Sequence, residues 1–439
     1  MISQDLDRSV YCINPGDYKK KKTRALSVVR RSRFVTARVV YTVEACTKIH
    51  QLCASQSLID PRMVAQTRGS GVAATSTPKK LQFKDKLIGK GYTTDLLLKK
   101  LQTLHQELAE IEQERIDTKS LSSVRKELIQ PQILLHKDKG VKAYAACCLA
   151  DLLRLYAPDA PYTADDLRNI FQFFFHQLSL GLKGSNSPYY TQYFHLLESL
   201  STVRSVVLVC DLHHADELMT DIFRNLFTIV QNDLAKNIEI YIADILVALV
   251  DESQSVPHAV LDSILGQFQD RNARMDQAAY RLAVEVCNAT ADKLQRYVGQ
   301  YFTDIIVQHS KDDDFAEIRT AHDLIKQINR DCSSLLHIVV PQLEEELKVN
   351  EFEVRLLATQ VLGEMFGDKR GGELAKKYTH VWDVWQARRN DKASGVRIAF
   401  VEACKGIITF HPELRQHIER EHFESFQRVV SERLQRHFV

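Results

Sequence analysis

Five residues, Ala157-Pro158-Asp159-Ala160-Pro161, set one carboxylate between two prolines. Proline fixes its own φ and pushes the residue before it out of the helical region. Pro158 therefore predicts the end of a helix at Tyr156, and Pro161 pins a second rigid step. Asp159 is left presented on a backbone with little freedom. The chemistry this offers is recognition: an acidic and apolar notch for a short peptide carrying an aromatic and a cation, pre-organised so that little entropy is lost on binding. The same residues serve equally well as a stiff connector, and the local pattern does not choose between the two. Beyond the break, Thr163 is placed to cap the next helix, with Asp165 and Asp166 in its first turn favoured by the helix dipole.

Other reactive constellations do not form. The stretch GKGYTT, residues 89–94, lacks the order of a phosphate-binding loop, and HQELAE has one histidine where a zinc-protease helix needs two. No GxGxxG or GxSxG motif occurs. The nine cysteines include no CxxC pair. His213 and His214 have no further histidine or cysteine at metal-ligand spacing. Asp312–Asp314 and Glu344–Glu346 read as solvated charge, and Cys147 and Cys148 as small core residues in an apolar run. These patterns predict no enzyme, no metal, no cofactor and no small-molecule substrate.

The elements around the break are helical. Prolines number 10 and glycines 16 in 439 residues, and apolar residues recur at helical spacing nearly everywhere after residue 90. Similar half-repeats place Lys142, Tyr190, Glu239, Ala278, Arg319, Arg355 and Arg397 at successive intervals of 48, 49, 39, 41, 36 and 42 residues. A period of ~40–47 residues with two helices per unit is the HEAT or armadillo signature. Each helix pair has an apolar face it buries only by stacking on its neighbours. An aspartate such as Asp391 is placed to cap the helix after it, and an arginine in a repeat helix's first turn to bond the neighbouring unit's aspartate, giving a ladder.

The expectation is an all-α, HEAT/armadillo-like helical-repeat solenoid with a disordered basic N-terminal extension. Residues 1–76 form the extension and linker, 77–120 an N-terminal capping segment, and 121–439 a solenoid of about seven units. The break lies between repeats. The 48- and 49-residue intervals predict insertions such as GLKGSNSPYY. A long amphipathic helix is expected over Leu96–Asp117, with Leu97, Leu101, Leu104, Leu108 and Ile111 as its buried stripe. No polar capping repeat closes the C-terminus, which predicts the N-terminal part of a longer solenoid.

Net charge is +2, yet residues 1–68 carry 13 Lys/Arg against 5 Asp/Glu, a local excess of +8 on a body of −6. Within that leader, Lys19, Lys20, Lys21, Lys22, Arg30 and Arg31 are candidates for nuclear localisation or a nucleic-acid contact. No apolar run approaches the ~18–20 residues of a membrane span. The odd, unpaired cysteines imply a reducing compartment.

The segment RLYAPDAPYTADDLRNIFQFFFHQL, followed by SPYYTQYFHLLESLSTVRSVVLVCDL, resembles the cohesin regulators of the precocious dissociation of sisters family. The likeness also takes in LKKLQTLHQELAEIEQE, VLDSILGQF and PQLEEELKVNEFEVRLLATQVLGEMFG, and so runs from Lys79 to Val439; KLQFKDKLIGKG is similar to the start of fungal members. The resemblance implies a nuclear, chromatin-associated scaffold that binds the kleisin subunit of cohesin. It also implies a role in maintaining cohesion and, with the wings-apart-like releasing factor, in unloading cohesin. In the family this box receives short Tyr-Ser-Arg-type peptides. Carried over, Ala157, Pro158, Asp159, Ala160 and Pro161 form the docking notch, with Asp159 facing the peptide arginine by charge. Two other HEAT-repeat classes compete: a karyopherin-type nuclear transport adaptor, with shorter and more regular repeats, and a phosphatase scaffold, with near-uniform repeats.

Overall fold

The computed structural model describes residues 79–113, 116–230, 234–269, 277–309, 315–415 and 418. Every described residue lies in one compact unit, Pro78–Val439. In chain order the α-helices are α1 (Thr94–Ala109), α2 (Ser122–Leu128), α3 (Pro131–Leu134), α4 (Lys139–Tyr156), α5 (Ala164–Gly181) and α6 (Tyr190–Val203). Then follow α7 (Ala215–Val230), α8 (Lys236–Glu252), α9 (His258–Gln269), α10 (Ala278–Ala289), α11 (Ala291–His309) and α12 (Ala316–Cys332). The last are α13 (Val339–Glu346), α14 (Phe352–Gly367), α15 (Gly371–Lys377), α16 (Thr379–Gln386) and α17 (Ser394–Phe410). Among the described residues no strand forms; Lys79 and Ile116 make one isolated parallel bridge.

The helices stack in two layers. One runs α1, α4, α6, α8, α10, α12, α14, α17, each packed on the next; the other runs α5, α7, α9, α11, α13, α16. All seven repeat positions fall within the first four residues of a helix in the first layer: Lys142 in α4, Tyr190 in α6, Glu239 in α8, Ala278 in α10, Arg319 in α12, Arg355 in α14 and Arg397 in α17. The fold is the all-α HEAT-type solenoid that the period demands. The 48-residue interval holds a loop over residues 182–189, and the 49-residue interval a 3-10 helix, Ser205–Asp211. One continuous apolar core runs from Leu81 to Ile418, as stacked repeats require. No single helix among the described residues is long and apolar enough to cross a membrane.

Polar pairs tie successive first-layer helices together. Arg281 of α10 meets Glu239 of α8 at 2.7 Å, Arg319 of α12 meets Glu353 of α14 at 3.3 Å, and the Tyr241 hydroxyl of α8 donates to Glu198 of α6 at 2.9 Å. Cys147 and Cys148 are fully buried, and burial pushes both thiols well above their ordinary range.

Two expectations need correction. The first helix ends at Ala109 instead of running to Asp117. The Arg154 guanidinium takes the Leu108 carbonyl at 2.8 Å and the Ile111 carbonyl at 2.9 Å, so its end is capped by α4, and the chain turns toward Ile116. Leu97, Leu101, Leu104, Leu108 and Ile111 are nonetheless all buried. The acidic run Glu344–Glu346 is not a solvated face: Glu344 and Glu346 are buried and only Glu345 is exposed. Glu346 meets the buried His322 of α12 at 2.7 Å, and Glu344 meets Lys348 at 2.6 Å and His380 at 2.8 Å. Inward charges of this kind require partners, and α12 and α16 supply them. Asp312–Asp314 lie outside the described residues.

Candidate functional site

The chain crosses from the first layer to the second at the proline-flanked break. Helix α4 ends at Tyr156, as Pro158 dictates, and Thr163 caps α5 by accepting the Asp166 N–H at 3.2 Å while its hydroxyl donates to the Asp166 carboxylate at 2.7 Å. Within the break, the Ala157 N–H donates to the Arg154 carbonyl at 3.3 Å and the Asp159 N–H to the Tyr156 carbonyl at 3.0 Å.

The two ends of the break are held from outside. Gln113 donates its side-chain N–H to the Ala157 carbonyl, and Arg125 donates Nη1 to the Pro161 carbonyl at 2.5 Å. The flanking tyrosines are fixed as well. Tyr156 donates its hydroxyl to the Thr118 carbonyl at 2.9 Å, and Tyr162 donates to the Arg125 carbonyl at 3.4 Å. Both rings pack half-buried against the core, as does Ala160. Burial pushes the Tyr162 hydroxyl far above its ordinary value, with Arg125 offsetting little of it, and burial also raises Tyr156. Both phenols therefore stay neutral and present apolar faces.

Pro158 and Asp159 are exposed, and Ala157, Ala160 and Pro161 are half-buried. The Asp159 carboxylate makes no hydrogen bond or ion pair among the described residues. The result is one free anion on a backbone clamped at both carbonyl ends, beside half-buried tyrosines. Such a surface offers one carboxylate for a cation and tyrosine faces for an aromatic or apolar neighbour.

The sequence brings Ala157–Pro161 together because they are contiguous. It does not reveal Gln113 and Arg125, which lie 44 and 36 residues upstream of their partners. That distance is about one repeat, so the previous unit supports the break, a relation no local motif carries. Lys19, Lys20, Lys21, Lys22, Arg30 and Arg31 lie outside the described residues.

A second cluster also escapes local motif reading. His105 of α1, Asp151 of α4 and His195 of α6 converge from three successive first-layer helices, with donor atoms all within 4.8 Å of one another. His105 Nδ1 lies 3.0 Å from Asp151 Oδ2, and His195 Nε2 lies 3.6 Å from Asp151 Oδ1. Burial would raise the Asp151 carboxyl, but the facing imidazoles and Arg154 overcome it and hold the group below its ordinary value, as an anion.

Comparison with known proteins agrees with this architecture. A family model described as sister chromatid cohesion protein PDS5 matches residues 95–430. The Schizosaccharomyces pombe sister chromatid cohesion protein pds5 is 36% identical over 346 residues, covering 75% of this chain and 28% of that protein. Human PDS5 homolog A is 31% identical over 325 residues, covering 73% of this chain and 24% of its own length. The Xenopus laevis homolog B-A is 34% identical over 283 residues, covering 64% and 19%. This chain thus spans between 19% and 28% of the length of these relatives. Among solved structures, a chain of the Pds5-Scc1 complex superposes with a TM-score of 0.73 at 26% identity, covering 81% of this chain and 56% of that one. The family match extends over most of the solenoid, through the helices on both sides of the break, and on it the chain belongs to the PDS5 family of sister chromatid cohesion proteins.

Proposed function

We propose that this chain acts as a cohesin-associated scaffold in the regulation of sister chromatid cohesion. It works by binding and carries no catalytic step. The break at Ala157–Pro161 docks short peptides of releasing or protecting factors, the wings-apart-like releasing factor among them, with Asp159 pairing the peptide's cation and the tyrosine-flanked surface taking its apolar part. The kleisin subunit of cohesin lies against the solenoid, and through it the protein reaches chromatin in the nucleus. One observation carries the docking reading: an exposed carboxylate with no partner among the described residues sits on a backbone that Gln113 and Arg125 hold at both ends. A connector alone needs no such support. A solved relative described in complex with Scc1, with implications for cohesin function, supports the kleisin reading. Membership of the cohesion family leaves the nuclear-transport and phosphatase-scaffold alternatives without support.

Affinity purification of the tagged protein from cells tests this. The wild type is expected to bring down the cohesin ring and the releasing factor, and Asp159→Lys to keep the ring while losing the releasing factor. Absence of the ring from the wild-type eluate contradicts the scaffold reading; equal recovery of the releasing factor by the variant contradicts the notch.

A further inference from the structure

The His105–Asp151–His195 cluster has the composition of a transition-metal site, and we propose that it binds one zinc-type divalent ion that staples α1 to α4 and α6. Two imidazole nitrogens and one carboxylate are a ligand set suited to zinc, with a fourth position left for water. The spacing is close to what an ion needs. Tetrahedral coordination at about 2.0–2.1 Å places donor atoms about 3.3–3.4 Å apart; here His105 Nδ1 lies 3.0 Å from one Asp151 oxygen, His195 Nε2 lies 3.6 Å from the other, and the three donor atoms fall within 4.8 Å of one another, a spread that closes by about 1 Å when an ion is bound.

The geometry fits an ion better than a set of hydrogen bonds. His195 Nε2 is buried and has no hydrogen-bond partner among the described residues, because Asp151 stands 3.6 Å away. A buried ring nitrogen left this way is costly, and an ion seated between the three donors removes the deficit. Arg154 does not take the place of that ion. Its guanidinium is engaged with the carbonyls of Leu108 and Ile111 and comes no closer than 3.5 Å to Asp151 Oδ1. Access is also present: the Asp151 side chain is 1% exposed, but those of His105 and His195 are 17% and 33% exposed, so an ion enters past the imidazoles. The three ligands come from the capping helix and the first two first-layer repeat helices, and metal binding at this junction is coupled to folding of that end of the solenoid.

Zinc chloride titrated into the full chain by calorimetry, after chelator treatment, tests the site, with cobalt(II) as a visible-absorption probe of coordination. The expected result is one saturable equivalent, visible cobalt bands of a four- or five-coordinate site, and a melting temperature that rises with zinc. His195→Ala and Asp151→Asn are each expected to weaken zinc binding by at least about tenfold, since loss of an outer-shell partner alone costs that much. His105→Gln, at a partly exposed position, provides a third variant if Asp151→Asn does not fold. No saturable binding by the wild type overturns the proposal. So does equal zinc affinity in folded His195→Ala and His105→Gln, which places the ion elsewhere.

Discussion

Arg355 and Asp391 form a buried, two-pronged ion pair between adjacent repeats. Arg355 Nε donates to Asp391 Oδ2 at 3.1 Å and Nη2 to Oδ1 at 3.2 Å, and each side chain is 3% exposed. Further hydrogen bonds support both groups. Arg355 Nη1 takes the carbonyls of Val349 and Asn350 at 2.9 and 2.7 Å, and Asp391 accepts the Ala393 N–H at 2.9 Å and Arg388 at 3.0 Å. Asp391 does not cap the repeat helix as expected; it closes a turn just ahead of it by accepting the Ala393 N–H, and receives the previous repeat's arginine with the same carboxylate.

Removing one partner of this pair leaves the other charged and buried. Asp391→Ala is expected to cost about 3–5 kcal/mol in urea unfolding. The double replacement Arg355→Met with Asp391→Ala should cost less than the sum of the singles, because neither charge of the pair is then left buried without the other. Additive losses contradict the pairing. Burial alone would raise Asp391, but the Ala393 N–H and the Arg355 guanidinium prevail and hold it below its ordinary 3.8. A depressed carboxyl contributes stability above its unfolded value and loses it as pH falls through the folded one. Acid unfolding of Asp391→Asn should therefore be flatter than that of the wild type.

His322 and Glu346 carry the opposite sign. His322 Nδ1–H donates to the Ile318 carbonyl at 2.7 Å, and Nε2 faces Glu346 Oε2 at 2.7 Å, so the doubly protonated ring satisfies both contacts. Burial works to lower its proton affinity and Lys326 adds to that, yet Glu346 and the Ile318 carbonyl raise it above its ordinary 6.5. A raised histidine contributes fully below its unfolded value and is lost as pH rises through the folded one. Melting temperature should fall as pH climbs above about 6.5, and His322→Gln should remove that slope. A wild-type slope unchanged in the variant refutes this role.

Gly363 of α14 sits where α17 approaches: a Cβ built there stands 2.4 Å from the Ala403 Cβ. Gly363→Ala is expected to lower stability by about 1–3 kcal/mol through overpacking, less about 1 kcal/mol regained in helix propensity. Adding Ala403→Gly should relieve the clash and recover most of the loss in a thermal melt. No recovery in the double variant would place the strain elsewhere.

Arg125→Ala releases the Pro161 carbonyl without touching Asp159. Loss of one hydrogen bond from a charged donor is worth about 1.5–3 kcal/mol, and part of it should appear as weaker peptide binding with little change in far-ultraviolet dichroism. Unaltered affinity means that the break keeps its shape without this anchor.

The solenoid was legible because its signal repeats. Lys142, Tyr190, Glu239, Ala278, Arg319, Arg355 and Arg397 each mark the start of a first-layer helix, since every unit must bury the same face. The break was legible because proline acts on its immediate neighbours: α4 ends at Tyr156 and Thr163 caps α5. What escaped depends on packing between units. Gln113 and Arg125 reach the break from one repeat away, and Arg154 ends α1 from another helix. Glu344 and Glu346 read as surface charge because the side chains that neutralise them, His380 and His322, belong to other helices. His105, Asp151 and His195 are near neighbours only after three helices stack.

We propose Asp159 as the anion of a rigid peptide-docking surface. Fluorescence anisotropy of a labelled releasing-factor peptide, with its arginine intact or replaced by alanine, measures this against the wild type and Asp159→Lys. Charge reversal is expected to abolish binding of the arginine peptide while circular dichroism and melting temperature stay as in the wild type, and the alanine peptide is expected to bind neither protein. Wild-type affinity in a folded Asp159→Lys protein would contradict it.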